Sequence, residues 1–314
     1  MGKIAFIFPG QGAQYQNMAR EFYENFPESR FVFERASKAA GFSLEELCFM
    51  EGEKLNQTRY TQPALLTACC AILQAVKQTG ILPDMTAGLS LGEYCALLAA
   101  GVMDFDQAVK VVCCRGAYME EEVPAGKGAM RAVLSRRELP FEEICRETEG
   151  IVTVANYNCP GQRVLSGEAE AVERAAEKLM EAGASRTVAL NVSGPFHSPM
   201  LRHAGSRLYQ ILKSTECRRP NISFISNVTA KEEKDPQQIR ELLGRQVYSP
   251  VLWEQSVRRM AQLGADIFIE IGPGKTLSRL IWKTLPGVKT YSVERPEDLE
   301  KLADELRRSE RKAG

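Results

Sequence analysis

The feature that most constrains the fold of this chain is the motif GLSLG at residues 88–92, with Ser90 between two glycines. A short strand is predicted at 83–87 before it, and the apolar run 95–100 after it predicts a helix. Glycines on both sides of a serine allow a sharp strand-to-helix turn and leave space around the hydroxyl. A strand followed by a turn and a helix predicts an α/β fold. Because the first amides of such a helix stabilise negative charge, the motif also predicts a serine that attacks esters or thioesters.

Length and composition set the class of protein. The chain has 314 residues, 44% of them hydrophobic, and 40 basic residues balance 40 acidic ones. This length suffices for a large core and two folded units. A nucleic-acid-binding protein would show a basic excess, and no apolar run approaches the roughly 20 residues that cross a bilayer. We therefore expect a cytoplasmic protein, with no signal peptide, that binds neither nucleic acid nor membrane. The lack of an obvious coiled coil favours a monomer.

Cysteine and histidine usage narrows the chemistry further. The nine cysteines are scattered without any C-x-x-C pair, so we expect small buried hydrophobes in a reducing compartment. With only two histidines, His197 and His203, a zinc site of several histidines is excluded, and we predict no metal. His197 precedes Ser198 and Pro199, which we expect to cap and open a helix to about residue 213. It is the predicted base for the serine, whereas His203 is predicted to be a surface or packing residue within that helix.

The pattern changes between residues 128 and 192. Four strands are predicted at 129–134, 151–155, 163–166 and 187–191, with helices at 140–148 and 168–181. The order β-α-β-β-α-β is typical of a ferredoxin-like unit. We therefore predict a small subdomain over 126–195, inserted into a large α/β-hydrolase-like subdomain formed by 1–125 and 196–308, and a frayed tail over 309–314.

The pattern in the rest of the chain predicts alternating strands and helices of an α/β fold. We predict a buried strand at 4–8, a helical region over about 14–40, a helix capped by Thr61 with Pro63 in its first turn, and a helix capped by Asp104. A further buried strand at 267–271 ends in the motif GPGKT at 272–276. A phosphate-binding loop would need another glycine at Ile269, so this motif predicts a tight turn.

Arg115 lies on an apolar helical stripe, which it shares with Ala108, Val111, Val112 and Met119. A buried arginine needs a partner. That partner is either an internal carboxylate such as Glu93 or the carboxylate of a substrate, and the sequence leaves both open. The backbone N–H groups of Gln11, in the glycine-rich segment after the first strand, and of Leu91 are candidate oxyanion donors. For Gln11 the alternative is a simple glycine-rich turn.

Several segments together resemble malonyl-CoA:acyl carrier protein transacylases, and the resemblance runs in order along nearly the whole chain. The motifs are FPGQGAQ at 8–14, TQPAL at 61–65, GLSLGEY at 88–94, RG at 115–116, GAM at 128–130, NYNCPGQ at 156–162, PFHS at 195–198, QVYSPV at 246–251 and EIGPGK at 270–275.

The resemblance implies that Ser90 is the nucleophile and His197 its base, in a dyad without a carboxylate. It implies further that Arg115 binds the free carboxylate of the malonyl group. The amides of Gln11 and Leu91 would form the oxyanion hole.

Four further residues matter for the resemblance. Gln246 matches the family residue that helps orient the histidine, and Asn156 would be a second supporting residue. Phe196 matches the malonyl-selective form of its motif. Leu89 departs from the family, because many members carry histidine there, and this departure bears on acyl selectivity.

The implied activity is transfer of malonyl from malonyl-CoA to the phosphopantetheine thiol of holo acyl carrier protein, for fatty acid synthesis. Coenzyme A thioester is then a substrate, and no bound cofactor is expected. The acidic carrier would meet a basic rim near the cleft. Three alternatives stay open: a stand-alone acyltransferase of a polyketide synthase, an α/β-hydrolase esterase or thioesterase, and a non-catalytic carrier-binding protein.

Overall fold

A computed structural model of the chain describes residues 2–50, 52–124, 126–192 and 194–313, with side chains up to residue 308. The strands are β1 (Lys3–Phe8), β2 (Met85–Gly88), β3 (Gly128–Leu134), β4 (Val152–Cys159), β5 (Gln162–Glu168), β6 (Arg186–Ala189), β7 (Ser223–Phe224), β8 (Ala265–Ile271) and β9 (Lys289–Val293). The α-helices are α1 (Arg20–Asn25), α2 (Pro27–Ala40), α3 (Leu44–Phe49), α4 (Thr58–Gln78), α5 (Gly92–Ala99), α6 (Phe105–Glu121), α7 (Phe141–Arg146), α8 (Ala169–Glu181), α9 (Arg202–Ser214), α10 (Pro236–Gln246), α11 (Trp253–Gln262), α12 (Thr276–Thr284) and α13 (Pro296–Ala313). Short 3₁₀ helices span Lys54–Asn56 and Pro199–Leu201.

A five-stranded parallel sheet in the order β7-β2-β1-β8-β9 forms the larger layer. Its central strand β1 is fully buried from Ala5 to Phe8, as expected for a continuous apolar run in a parallel sheet. Phe8 lies beside Gly88 in the β1–β2 pairing. The carboxyl ends of these two strands are therefore neighbours, which brings the glycine-rich loop after β1 against the GLSLG turn after β2.

A separate antiparallel sheet in the order β4-β5-β3-β6 forms the second layer. Along the chain its elements follow the order β3-α7-β4-β5-α8-β6, which is the order predicted from the sequence. It has a core of its own, in which Val133 and Leu165 of the sheet cluster with Val172 and Leu179 of α8. The fold is thus mixed α/β, with one parallel and one antiparallel sheet.

Two predicted helix starts were wrong. The helix expected to begin at Thr61 begins at Thr58, so Pro63 lies inside α4. The Thr61 hydroxyl donates to the carbonyls of Leu55 and Gln57, because the extended backbone at Gln57 already starts the helix one turn earlier.

At the second start, Ser198 precedes the 3₁₀ turn Pro199–Leu201, and α9 begins only at Arg202. The Ser198 hydroxyl donates to the Pro195 carbonyl and caps no helical amide. The helical region expected over 14–40 is likewise divided, into α1 and α2, with Phe26 extended between them.

Other local predictions are confirmed. Asp104 caps α6 by accepting the N–H of Asp106. The GPGKT motif is a turn between β8 and α12, where the Glu270 carboxylate accepts the amides of Leu277 and Ser278. These first helical amides are thus already bonded within the chain. Seven of the nine cysteines are buried, and Cys113 and Cys114 are partly exposed.

A frayed tail is predicted over residues 309–314, whose side chains are not among those that the structure describes. It therefore stays a prediction. Within the described part of the chain, no helix combines the length and the apolar character that crossing a membrane requires.

Candidate active site

The GLSLG motif forms a tight turn between β2 and α5. Ser90 has φ of 53°, in the left-handed region that side-chain-bearing residues seldom adopt. A Cβ at Gly88 would overlap the backbone of Gly92, and a Cβ at Gly92 would overlap the Phe8 carbonyl. Both glycines are therefore required for the close approach between this turn and β1, which places Ser90 at the carboxyl ends of the parallel strands.

Asn227, in the loop after β7, holds this turn in place. Its Nδ2 donates to the Gly88 carbonyl at 2.6 Å, and its Oδ1 accepts the Ser90 N–H at 2.7 Å. Its own N–H donates to Glu93 Oε1 at 2.7 Å. A fully buried amide thus bonds to the backbone on both sides of the turn and stabilises the unusual backbone conformation of Ser90.

His197 contacts the serine directly. Its Nε2 lies 2.8 Å from Ser90 Oγ, and its Nδ1 lies 2.7 Å from the Gln246 carbonyl oxygen. A carbonyl only accepts, so Nδ1 carries the proton and Nε2 is free to accept the serine hydroxyl. The group that orients the imidazole is therefore a main-chain carbonyl. The other histidine, His203, is a surface residue as predicted, with Nδ1 3.0 Å from a carboxylate oxygen of Glu122.

The environment of His197 favours the neutral imidazole. Burial lowers the pKa of His197 to about 4, and the positive charge of Arg115 adds to the effect. Hydrogen bonds with backbone groups, such as the Gln246 carbonyl, act in the opposite direction. At neutral pH the ring is thus in the form that accepts a proton.

Arg115 is buried next to the serine. Its Nη1 donates to Gln62 Oε1 at 2.7 Å, and its Nη2 donates to Gln246 Oε1 at 2.9 Å and to Ser90 Oγ at 3.1 Å. Across the described residues the guanidinium forms no ion pair. The internal pair with Glu93, one of the two alternatives from the sequence, is therefore not formed, because neutral amide oxygens occupy those positions.

The charge of Arg115 is only partly compensated. Its Nε is buried without a hydrogen-bond partner in the described structure, and its guanidinium lies 5.7 Å from the Tyr94 ring centroid. Burial lowers the pKa of Arg115. A buried cation with neutral partners strongly favours an incoming anion, and the planar guanidinium is suited to a carboxylate.

Behind the dyad, Gln246 and Glu93 form a buried pair. Gln246 Nε2 donates to the Ser90 carbonyl at 2.8 Å and also to Glu93 Oε2. Burial raises the pKa of Glu93 to about 7, although the hydrogen bonds that it accepts from Asn227 and Gln246 oppose this shift.

A cavity of about 260 Å³ opens in front of Ser90 between the two sheets. Five of its lining residues lie around the serine turn and the histidine, and we call them the catalytic wall: Gln11, Leu89, Ser90, Phe196 and His197. Six others belong to the antiparallel sheet or directly follow it, and we call them the sheet wall: Met130, Asn156, Asn158, Gln162, Val164 and Leu190. The structure therefore brings the predicted residues Gln11, Ser90, His197, Phe196 and Asn156 into one cavity.

The two backbone amides predicted as oxyanion donors are not used elsewhere in the described structure. Neither the N–H of Gln11 nor that of Leu91 donates a hydrogen bond there. The Gln11 side chain is turned away and donates to Thr58 Oγ1 at 3.0 Å. Leu91 immediately precedes α5, where an unpaired amide is expected. Among the described residues, no cluster of three or more histidine, cysteine or acidic side chains could hold a metal ion.

Comparison with known proteins decides the family. A model of the acyl transferase domain matches residues 5–303. This chain belongs to the acyl transferase family. It is therefore an enzyme, and the resemblance that its motifs predict is confirmed.

Relatives of this acyltransferase include the malonyl CoA-acyl carrier protein transacylase of Bacillus subtilis, 44% identical over 96% of both chains. The enzyme of that name from Haemophilus influenzae is 40% identical over 93% of this chain and 96% of its own. Among solved structures, the transacylase from Clostridium perfringens has a TM-score of 0.95 at 44% identity, covering 99% of both chains. Another match is a chain in the solved complex of a type II polyketide synthase acyl-carrier protein with its malonyl-transacylase. That chain has a TM-score of 0.93 at 37% identity, and the match covers 96% of this chain and 99% of that one.

Sequence reasoning missed two residues of this acyltransferase site. Asn227 stands in a loop whose motif, Ser-Asn after a short apolar run, carries no functional signal by itself. Gln62 lies in the TQPAL segment, where its neighbours predicted only a helix start. Their partners, Ser90 and Arg115, lie 137 and 53 positions away along the chain, so only the folded protein reveals the contacts.

Proposed function

We propose that this acyltransferase moves a malonyl group from malonyl-CoA to the phosphopantetheine thiol of holo acyl carrier protein, through a malonyl ester on Ser90. The observation that carries the proposal is the buried Arg115 guanidinium, bonded only to neutral oxygens and 3.1 Å from Ser90 Oγ. A malonyl group attached to Ser90 carries a free carboxylate only a few atoms from that oxygen. The carboxylate would supply the anionic partner that the described protein does not.

In the first half-reaction, His197 Nε2 accepts the proton of Ser90 as the hydroxyl oxygen attacks the thioester carbon. The oxyanion that forms would receive the amides of Gln11 and Leu91, each worth roughly 3 to 4 kcal/mol in comparable sites. The carbon–sulfur bond then breaks, and His197 returns the proton to the sulfur of coenzyme A. The malonyl group is left as an ester on Ser90.

In the second half-reaction, the thiol of the phosphopantetheine arm attacks this ester. His197 takes the thiol proton and delivers it to Ser90 Oγ as the carbon–oxygen bond breaks. The order is ping-pong, because coenzyme A leaves before the carrier thiol attacks the malonyl ester on Ser90. Coenzyme A thioester enters as a substrate, and every step proceeds with the chain's own residues, without a bound cofactor.

The acyl group would be selected by size as well as by charge. Phe196 is buried at 5% exposure and lines the 260 Å³ cavity, so its ring limits branching on the acyl chain. Leu89 also lines the cavity, in the position where many family members have histidine. We propose that malonyl remains the preferred group despite this difference, because the charge contact at Arg115 does not involve Leu89.

The finer description of the fold is also our proposal. The β3-α7-β4-β5-α8-β6 order and the β4-β5-β3-β6 sheet are typical of a ferredoxin-like unit, which supports a small subdomain over 126–195. The parallel sheet with a serine turn supports an α/β-hydrolase-like subdomain over 1–125 and 196–308.

For the carrier protein we propose a docking surface on α12. Its residues Leu277 and Leu280 line the catalytic cavity, while Lys275, Arg279 and Lys283 line a neighbouring groove on the outer surface. Basic side chains at the rim suit an acidic carrier. Fatty acid synthesis is the pathway that we propose. The alternative is service to a polyketide synthase, because one structural relative is a malonyl-transacylase in complex with a polyketide synthase carrier protein.

We further propose that the enzyme works in the cytoplasm as a monomer. Support for the compartment comes from its nine free cysteines, which are typical of proteins in reducing surroundings. An esterase, the second candidate from the serine motif, is disfavoured because a main-chain carbonyl holds His197 where a hydrolase triad has a carboxylate.

Intact-protein mass spectrometry tests the proposal. The native enzyme and Ser90→Ala are each mixed with equal malonyl-, methylmalonyl- and acetyl-CoA, and holo carrier protein is then added. We expect a malonyl adduct on the native protein alone, discharged onto the carrier. Release of free malonate without carrier would favour the esterase, and absence of any adduct or turnover would contradict the enzymatic proposal.

A further inference from the structure

A neutral amide separates two buried charges beside the active serine. Glu93 and Arg115 are each 1% exposed. They form no ion pair, because the side chain of Gln246 lies between them: its Nε2 donates to Glu93 Oε2 and its Oε1 accepts Arg115 Nη2 at 2.9 Å. Carboxylate, amide and guanidinium therefore form a continuous hydrogen-bonded chain.

The three partners of Gln246 permit only one orientation of its amide. In the observed orientation the NH₂ group donates to the Ser90 carbonyl at 2.8 Å and to Glu93, while the oxygen accepts from Arg115. Rotated by 180°, the NH₂ group would oppose the N–H donors of the guanidinium, and the oxygen would oppose two acceptors. Both oxygens of Glu93 accept N–H groups, from Asn227 and from Gln246, so Glu93 acts as an acceptor here and helps to decide which end of the amide faces Arg115.

Glu93 does not touch the cavity. It is absent from the cavity lining, and its second oxygen, Oε1, accepts the N–H of Asn227 at 2.7 Å. Both carboxylate oxygens are thus occupied, one toward the loop that holds the serine turn and one toward Gln246. Any effect of Glu93 on the acyl group must therefore pass through these neighbours or through the charge interaction of Glu93 with Arg115 across the Gln246 amide.

We propose that Glu93 is a positioning residue for acyl-group recognition: it orients the Gln246 amide so that Arg115 is held beside Ser90 and remains free of any carboxylate of the protein. This inference rests on the proposed function, since it concerns how Arg115 receives the malonyl carboxylate. A direct Glu93–Arg115 pair would occupy the guanidinium and neutralise it. The intervening amide stabilises both buried charges and leaves the guanidinium available to the substrate.

The test substitutes Glu93→Gln, which keeps the size and removes the carboxylate. The amide introduced at position 93 must turn its oxygen to the Asn227 N–H, so its NH₂ group faces the NH₂ group of Gln246. We expect the ratio of malonyl to acetyl single-turnover acylation of Ser90 to fall about 10-fold or more, because acetyl has no carboxylate for Arg115. This ratio is independent of how much of the variant folds, since both rates scale with the folded fraction.

Glu254→Gln is the matched control. Glu254 is a buried carboxylate on α11 that pairs with Arg163 and Arg258, away from the cavity lining. Its substitution should leave the malonyl-to-acetyl ratio within about 2-fold of the native value, as expected for a residue that acts on stability alone. An equal fall of both acylation rates in Glu93→Gln, with the ratio unchanged, would overturn the inference.

A double variant, Glu93→Gln with Gln246→Glu, gives a second measurement if the single variant is insoluble. The NH₂ group at position 93 regains an acceptor at position 246, but the new carboxylate pairs directly with Arg115 and can no longer donate to the Ser90 carbonyl. We therefore expect a malonyl-to-acetyl acylation ratio well below the native ratio, and a native-like ratio would overturn the inference. Failure of the native protein itself to form a malonyl ester would instead contradict the proposed function.

Discussion

The two walls of the cavity are built on opposite principles. Behind the catalytic wall nearly every polar group is bonded within the protein: Asn227, Gln246 and Glu93 share their donors and acceptors with the serine turn and with each other. On the sheet wall, Asn158 has a buried Oδ1 with no partner in the described structure. The groups behind the catalytic wall are therefore fixed in place, whereas Asn158 on the sheet wall keeps an unused acceptor that would reach a substrate only after its side chain turns toward the cavity.

The largest expected effect is at Ser90, the nucleophile that we propose. Ser90→Ala removes the oxygen that His197 would deprotonate, and we expect acyl transfer to the carrier to fall by about 10⁴-fold or more. The measurement is the rate of malonyl-carrier formation by mass spectrometry. Retention of a covalent adduct in this variant would place the acyl group on another residue and would break the assignment of the catalytic wall.

Arg115→Ala should change preference more than it abolishes activity. We expect malonyl loading to fall about 100-fold, because the carboxylate loses its buried cation, while acetyl loading holds or rises. Steady-state kcat/KM for the two donors is the measurement, with Arg115→Lys as the companion that keeps the charge but loses the planar fork. An equal fall for both donors in the alanine variant would mean that Arg115 is structural.

Two asparagines compare the walls directly, beginning with the catalytic side. Asn227→Ala leaves the Gly88 carbonyl and the Ser90 N–H without partners. We expect a loss of about 2 to 3 kcal/mol in the free energy of unfolding, and a lower rate of Ser90 acylation with little change in KM. Denaturant unfolding and single-turnover acylation measure the two effects. A native acylation rate would show that the turn holds its conformation without this clamp.

On the sheet wall, Asn158→Ala removes an unpartnered oxygen. We expect KM to rise about 3- to 10-fold, the value of one neutral hydrogen bond to substrate, with the free energy of unfolding nearly unchanged. Both are measured beside Asn227→Ala. If Asn158→Ala destabilised the fold as much as Asn227→Ala does, the distinction between the walls would be wrong.

The burial of the catalytic wall also predicts a pH profile. Burial lowers the pKa of His197 to about 4, so the neutral, proton-accepting ring persists well below its ordinary value of 6.5. The donor in this experiment is acetyl-CoA. Its acyl group has no carboxylate to bind Arg115, so titration of Glu93, which is linked to Arg115 through Gln246, should affect the acylation rate little. We expect single-turnover acylation to stay nearly constant from about pH 7 to about pH 5 and to fall near pH 4, the pKa of the buried ring. A midpoint near the ordinary value of 6.5 would contradict the burial argument.

The local signals in the sequence were sufficient for seven of the nine strands that the structure describes, for the serine turn and for the serine and histidine side chains; β7 and β9 were not predicted. A serine between glycines, one histidine at a loop and one arginine on an apolar stripe are each visible in short windows. The order β-α-β-β-α-β over β3 to β6 was equally local, since each element carries its own periodicity. Helix starts at Thr58 and Arg202 were missed, because the hydroxyls of Thr61 and Ser198 donate to carbonyls three to six residues earlier in the chain and do not cap the expected helices.

What the sequence could not provide was the set of long-range polar contacts. The clamp formed by Asn227 and the amide link between Glu93 and Arg115 join residues that lie 137, 153 and 131 positions apart along the chain. Nothing in a short window distinguishes these residues from ordinary surface amides and acids. The residue pattern left Glu93 and a substrate open as partners of Arg115, and only the resemblance implied the substrate; the folded geometry adds that Arg115 bonds to Gln62, Gln246 and Ser90 and not to Glu93.

The most direct test of the central claim is a crystal structure of the enzyme after exposure to malonyl-CoA. We predict electron density continuous with Ser90 Oγ and ending in a carboxylate within hydrogen-bond distance of the Arg115 guanidinium, with the ester carbonyl oxygen facing the amides of Gln11 and Leu91. A malonyl ester whose carboxylate instead lies against Asn156 and Asn158 on the sheet wall, with Arg115 still bonded only to Gln62 and Gln246, would contradict the account.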